Sequence, residues 1–459
     1  MVFRVKSGKN SPLPKGLFDM RTRAAAVNIL SALPRNYYNY EKKVVEVTEK
    51  LNYSQRDQDF VYILVKGIIQ YKKLLDYILE IATNKPLSKL EIDALNLLRI
   101  GLFQSVILNT PGYALVNETA EAARDLQRSD LVPFVNAVLR HLPDERVWLS
   151  SMKNLGKVES LAIKNSHPEW LVKRWIEAYG VKDTVKLLEF NNDYQEIIFR
   201  HNPIKISWEE FEQKITDDGY SINLVRSNPI HFFTTENPGL LLKNRLFKEG
   251  FCSVQDFSQA LAVLILDPNP GEMILDVCAA PGGKSTFIAQ LVGKKGKIVS
   301  SDITKNKIAL LENECSRLGI DFINYMVADA GKDTFFEVDK ILVDVPCSGT
   351  GVLSRRADMR WNRKSSDIVK LKQLQTEILN NVSKYVHNRG VLVYSTCSIE
   401  FDENWGVVEA FLHSHLDFVI DRADKYIEAD YCDEYGAVQI LPQKHGMTGS
   451  FAVRMVRKI

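Results

Sequence analysis

Three textures of hydrophobic patterning, met in turn along 459 residues, predict a multidomain protein with an α-helical bundle, a small α+β unit and a doubly wound α/β domain. Residues 20–143 repeat apolar side chains at helical spacing with almost no strand signal. Residues 150–245 mix the two periods. Beyond Phe251 short apolar strands alternate with helices, the pattern of a mostly parallel sheet covered on both faces. The length asks for two or three domains, and boundaries are expected at 1–145, 146–250 and 251–459.

Within the first region, Arg21–Leu33 sets Ala26, Ile29, Leu30 and Leu33 on one face. Phe60–Ala82 does the same with Leu64, Ile68, Tyr71 and Leu75. Leu90–Leu108, Ala114–Leu126 and Val132–Leu142 follow, the last carrying Phe134, Val138 and Leu139. In the middle region Pro168–Tyr179, Val181–Phe190 and Trp208–Gly219 read as helices. Ile197–Arg200, Ile222–Val225 and Ile230–Thr234 are short apolar runs of strand type. In the last region the predicted strands are Met273–Val277, Lys297–Ser301, Tyr325–Val327, Lys340–Val343 and Val391–Ser395. Helices are predicted over Ser285–Val292, Lys305–Leu318, Ile368–Val386 and Trp405–His413.

Composition excludes several classes. The chain is 45% hydrophobic and 25% charged, as globular proteins are, and no apolar run is long enough to span a bilayer. Met1 to Lys15 is basic and lacks the apolar core of a secretory signal, which predicts a cytoplasmic protein. The six cysteines (252, 278, 315, 347, 397, 432) include no CxxC pair, so neither a metal site nor a disulfide framework is expected. Net charge is only +2, but residues 1–40 carry seven Lys/Arg against Asp19, and Arg355, Arg356, Arg360, Arg363 and Lys364 enclose only Asp358. Such clusters suit a phosphate backbone or a solvated basic face.

In an open α/β sheet, ligands bind beyond the carboxyl ends of the strands. After the first predicted strand comes Asp276-Val-Cys278-Ala279-Ala280-Pro281-Gly282-Gly283-Lys284, small residues that let the backbone approach a ligand ahead of a helix N-terminus. Gly283-Lys284-Ser285 mimics the end of a phosphate-binding P-loop, but Cys278 stands where that motif needs glycine. Asp302 follows the second strand, 19 residues past Gly283, where a carboxylate can accept from both ribose hydroxyls of an adenosine-type cofactor. Asp329 follows the third, available to an adenine amino group. The fourth and fifth strands end in Asp344-Val-Pro-Cys347-Ser-Gly-Thr-Gly351 and Ser395-Thr-Cys397-Ser. Consecutive strands tend to be neighbours, so two cysteines are expected to face one pocket. Position alone does not rank them.

These residues carry a resemblance. Asp276–Lys284, Asp344–Gly351 with Met359-Arg-Trp361, and Tyr394–Ser398 with Glu403-Asn404 resemble the motifs of the RNA cytosine-C5 methyltransferases. Within that superfamily the chain is similar to the Fmu/Sun (RsmB) small-subunit rRNA enzymes, whose NusB-like helical domain has a counterpart in Tyr113–Thr119 and Val135–Arg140. The resemblance implies a NusB-like all-α RNA-binding domain, a small α+β RNA-binding unit and a Rossmann-like catalytic domain. It implies S-adenosyl-L-methionine as cofactor, held by Cys278–Lys284, Asp302, Asp329 and Asp344, and 16S rRNA as partner of a cytoplasmic monomer. Cys397 would be the nucleophile and Cys347 would assist product release. Asp344 is the candidate for contact with cytosine N3 and its amine, and Lys284 or a strand-end amide for favouring the thiolate. Where the family usually carries Gly-Phe-Phe near its C-terminus, this chain has Gly449-Ser450-Phe451, and the last strand is still expected to form.

Rival readings have their own marks. A DNA cytosine-C5 methyltransferase would use Cys347 but leaves Cys397 unexplained. An enzyme of the same chemistry could act on tRNA or 23S rRNA. A non-catalytic RNA-binding assembly factor would need neither the cofactor loop nor the cysteines. In the enzyme readings the cationic segment Arg355–Lys364 is expected to grip RNA, with Trp361 either stacked on a base or in the core.

Overall fold

The computed structural model describes residues 20–34 and 37–459. Most of the basic run over residues 1–40 therefore lies outside the described residues. Arg23 lies within them and is buried, donating to Gln104 Oε1 at 2.9 Å and pairing with Glu118. The chain forms two compact units, Met1–Tyr194 with Leu353–Ser365, and Gln195–Val352 with Ser366–Ile459. Helices continue to Phe190, and one later segment returns to the helical unit. Among the described residues no helix is long and apolar enough to cross a membrane.

The helical unit is built around Gln55–Thr83, capped at its start by Ser54, whose hydroxyl accepts from Asp57 N at 3.3 Å. Its buried stripe includes Leu64, Ile68, Tyr71 and Leu75, against which Met20–Ala32 and Ile92–Val106 pack. Gly180, at φ 72°, breaks Glu169–Phe190 between the two predicted helices. The sequence reading passed over Tyr40–Lys50, which buries only Tyr40, Val44 and Thr48 and is otherwise charged apart from Val45 and Val47.

Within Arg355–Lys364 the expectation needs correction at Arg360 and Trp361, while Arg356 and Lys364 are exposed. Leu353–Ser365 belongs to the helical unit, and Arg360 is fully buried there. It donates to Gln70 O (3.1 Å), Ser166 O (3.2 Å), Asn191 O (2.5 Å) and Asn192 Oδ1 (2.7 Å). Trp361 donates its indole N–H to Ile69 O at 2.7 Å and lies under the Lys72 ammonium, so the core alternative holds rather than base stacking. Arg356 pairs with Asp358 at 3.4 Å. A planar guanidinium has five donors, and here its two terminal nitrogens collect carbonyls of the long helix and of loops, with one side-chain amide oxygen, instead of phosphates. Arg360→Ala leaves these acceptors unmet, and the helical unit is expected to lose about 3 kcal/mol. Urea unfolding checks this: an unchanged midpoint would show that the segment anchors nothing.

In the second unit a small antiparallel sheet comes first, formed by β1 (Phe199–His201), β2 (Asn223–Arg226), β3 (Phe232–Thr234) and β4 (Cys252–Val254) in the order β2-β3-β1-β4. The strands of the large sheet are β5 (Met273–Val277), β6 (Lys297–Asp302), β7 (Ile323–Val327), β8 (Val338–Asp344), β9 (Val386–Thr396), β10 (Phe418–Ile420), β11 (Val438–Ile440) and β12 (Ser450–Arg457). Their order is β10-β12-β9-β8-β5-β6-β7, with β11 beside β12. β5 to β9 are parallel neighbours, and β12 closes antiparallel on β9. Chain progress reverses between β5 and β8, so the crevice at their carboxyl ends is the switch point where α/β sheets take ligands. The last strand forms with Ser450 at its start, its hydroxyl donating to Ser258 O at 2.8 Å.

Candidate active site

The loop after β5 turns through Cys278 at φ 60° and Gly282 at φ 114° into the helix Gly283–Val292. Gly282 is required twice over, by its left-handed φ and because a Cβ there would stand 2.5 Å from Leu311 Cδ1. Beneath the loop Asp276 is fully buried and accepts from Ser285 Oγ at 2.5 Å. Burial raises its carboxyl to about 7. Asp302, 3% exposed at the end of β6, accepts from Ala280 N (3.1 Å) and Ile303 N (2.7 Å), with Lys307 at 3.0 Å. Asp329, half-buried beyond β7, accepts from Gly331 N at 3.0 Å. Burial pushes the Cys278 thiol up to about 12, so this cysteine contributes backbone and packing rather than a reactive sulfur.

β8 and β9 run in register with Asp344 opposite Ser395. That pairing brings the two following loops together, and Cys347 Sγ lies 3.1 Å from Cys397 Sγ. The pair is polarised. The hydrogen bond from Cys347 holds the Cys397 thiol below its ordinary value, with Lys284 acting the same way and burial, Asp344 and Glu403 acting against it. The same bond to Cys397, then burial, holds Cys347 well above the ordinary value. Lys284 Nζ donates to Asp344 Oδ2 at 2.6 Å, and Ser395 Oγ donates to Asp344 Oδ1 at 2.7 Å. Burial works to lower the Lys284 pKa, but the Asp344 carboxylate more than offsets it.

The structure thus gathers Lys284, Asp344, Cys347 and Cys397 at one end of the sheet. Cys278–Gly283, Asp302 and Asp329 stand at the ends of β5, β6 and β7. Sequence reasoning passed over Ser395 and Arg200. Arg200, fully buried on β1, donates to Gly283 O and Thr286 Oγ1, both at 2.9 Å, and lies over the Phe287 ring. Burial lowers its pKa to about 9. A single arginine ending an apolar run gives no signal that its partners are 83 and 86 residues away.

Comparison with known proteins decides the family. The family described as 16S rRNA methyltransferase RsmB/F matches residues 263–456, the NusB family residues 20–144, and a ferredoxin-like domain of RsmF/B-type methyltransferases residues 167–230. A protein of Bacillus subtilis, "Probable ribosomal RNA small subunit methyltransferase B", is 34% identical over 95% of this chain and 98% of its own. The chain belongs to the RsmB/RsmF family of 16S rRNA cytosine-C5 methyltransferases. A family member of the same description from Synechocystis is 30% identical over 94% of this chain and 98% of its own. The solved structure of PH0851 shares the fold, with a TM-score of 0.78 at 24% identity over 96% of this chain and 99% of that one. This RsmB/RsmF-family enzyme is accordingly a methyltransferase with an RNA partner, and the family uses S-adenosylmethionine.

Proposed function

We propose that this enzyme methylates carbon 5 of a cytosine in 16S rRNA through a covalent bond between Cys397 and C6. The observation that carries the chemistry is the polarised thiol pair, 3.1 Å apart at the switch point. Its near relatives are described as small-subunit methyltransferases, which supports the choice of RNA.

The residues present fit the cofactor. Backbone N–H groups at the start of Gly283–Val292 suit a carboxylate. Asp302 keeps acceptor capacity for a ribose diol, since a carboxylate has about four acceptor sites. Asp329 would take the adenine amine, and Asp344 with the Cys278–Lys284 loop would line the remainder. When bound, S-adenosylmethionine supplies an electrophilic methyl group.

Carbon 5 of cytosine is a poor nucleophile. The Cys397 thiolate adds to C6, forming the C–S bond while N3 gains a proton, and the electron pair displaced from the C5–C6 double bond makes C5 nucleophilic. Asp344, held by Lys284 and Ser395, is placed to contact N3 and the exocyclic amine. Once C5 carries the methyl group, a base takes the C5 proton, the double bond returns, the thiolate leaves and N3 gives back the proton it gained. Cys347, the protonated member of the pair, is suited to donate its proton to the departing Cys397 sulfur and so assist release. The helical unit, which carries none of these groups, contributes placement of the RNA.

Incubation of purified protein and S-adenosylmethionine with 16S rRNA, 23S rRNA and tRNA tests the proposal by mapping 5-methylcytosine. Modification of a discrete site in 16S rRNA is expected. Modification confined to tRNA or 23S rRNA would overturn the substrate assignment.

A further inference from the structure

Glu403 has a fully buried side chain, and no cation pairs with it among the described residues. Such a carboxylate is costly to bury unless its acceptor sites are filled. Here four donors fill them. Ser348 N donates to Oε1 at 2.8 Å and Gln375 Nε2 to the same oxygen at 2.9 Å. Ser398 Oγ donates to Oε2 at 2.6 Å, joined there by Ser348 Oγ. Ser348 follows Cys347 and Ser398 follows Cys397, so one carboxylate grips the residue after each cysteine.

Neighbouring contacts extend the grip. Gln375 Nε2 also donates to Pro346 O at 2.9 Å, just before Cys347. Asn404 accepts from Thr396 Oγ1 at 2.7 Å and donates to Ser398 O at 3.0 Å, on either side of Cys397. The two cysteine loops are thus tied to the same short segment, Glu403-Asn404.

We propose that Glu403 is the positioning residue that sets the spacing of Cys347 and Cys397, holding the two sulfurs in contact. This rests on the two-thiol reading given above. The charge of Glu403 disfavours a thiolate on either cysteine, so its benefit at this place is geometric. Glutamine is no substitute, because its amide nitrogen cannot accept from a hydroxyl or a backbone N–H.

Phenylarsine oxide tests the spacing without RNA or cofactor. It condenses with two adjacent thiols, forming two As–S bonds and releasing one water, and intact-mass spectrometry follows the product. Wild type is expected to capture one equivalent through this pair, which Cys347→Ser or Cys397→Ser abolishes. In Glu403→Gln capture should slow at least tenfold, and kcat for methylation should fall at least tenfold. Affinity for S-adenosylhomocysteine should stay unchanged, which a general loss of structure would not allow. Should that variant fail to fold, Ser348→Ala and Ser398→Ala each remove part of the grip and should each slow capture several-fold. Capture at the wild-type rate in folded Glu403→Gln, or in both serine variants, would overturn the proposal. Full methylation by Cys397→Ala would instead overturn the chemistry on which it rests, while the capture rates still report the spacing.

Discussion

Cys397→Ala is expected to abolish methylation, a loss of at least about 10,000-fold, because the proposed nucleophile of the C6 bond is gone. Cys347→Ala should behave differently. Its nucleophile is intact, so attack and methyl transfer proceed, but elimination lacks the protonated partner 3.1 Å away. A protein–RNA species that survives denaturing gels should therefore accumulate in Cys347→Ala and be absent from the double variant. Removing Cys347 also removes the hydrogen bond that favours the Cys397 thiolate, so formation of the trapped species should shift to higher pH. Trapping in Cys397→Ala instead would assign the nucleophile to Cys347, as in the DNA-type reading. Near-normal turnover in both variants would return the cysteines to simple packing.

Much of this arrangement was legible before any coordinates. Strands in an α/β domain announce themselves as short apolar runs, and those beginning at Met273, Lys297, Tyr325, Lys340 and Val391 all fall within observed strands. That β8 and β9 would be neighbours followed from their being consecutive, and with it the meeting of Cys347 and Cys397. The helices missed include Tyr40–Lys50, with little apolar stripe to read, and Phe257–Leu266, whose nearly continuous apolar run shows no helical period. Tyr40–Lys50 shows water eight of its eleven residues, and its short buried row leaves periodicity almost silent.

Long-range polar pairing was not legible at all. Arg355–Lys364 has the composition of a phosphate grip, yet Arg360 is turned inward onto carbonyls of residues 70, 166 and 191. Nothing local distinguishes a buried arginine from an exposed one. For the same reason the order of the two cysteines was open from position alone. The motif resemblance is what favours Cys397 as nucleophile, and the contact between the two sulfurs at 3.1 Å is symmetric with respect to that choice.

Lys284→Met and Asp344→Asn are expected to lower turnover together while moving the Cys397 thiol in opposite directions. Lys284 and Asp344 form one partly buried ion pair at 2.6 Å, and both bear on the thiol: the cation stabilises the thiolate and the anion disfavours it. In Lys284→Met the Asp344 carboxylate is left unneutralised, so the Cys397 pKa rises. Less thiolate exists at any pH below that pKa, and the acid limb of the rate profile moves to higher pH by about one unit. In Asp344→Asn the cation remains alone, the pKa falls, and thiolate persists to lower pH. Methylation still drops, by about 100- to 1,000-fold, because the carboxylate facing N3 and the exocyclic amine is gone. Iodoacetamide alkylation of Cys397 across pH, read by peptide mass spectrometry, separates thiol ionisation from turnover. Shifts of the same sign in both variants would mean that the thiol does not sense this pair. A wild-type methylation rate in Asp344→Asn would remove Asp344 from contact with the base.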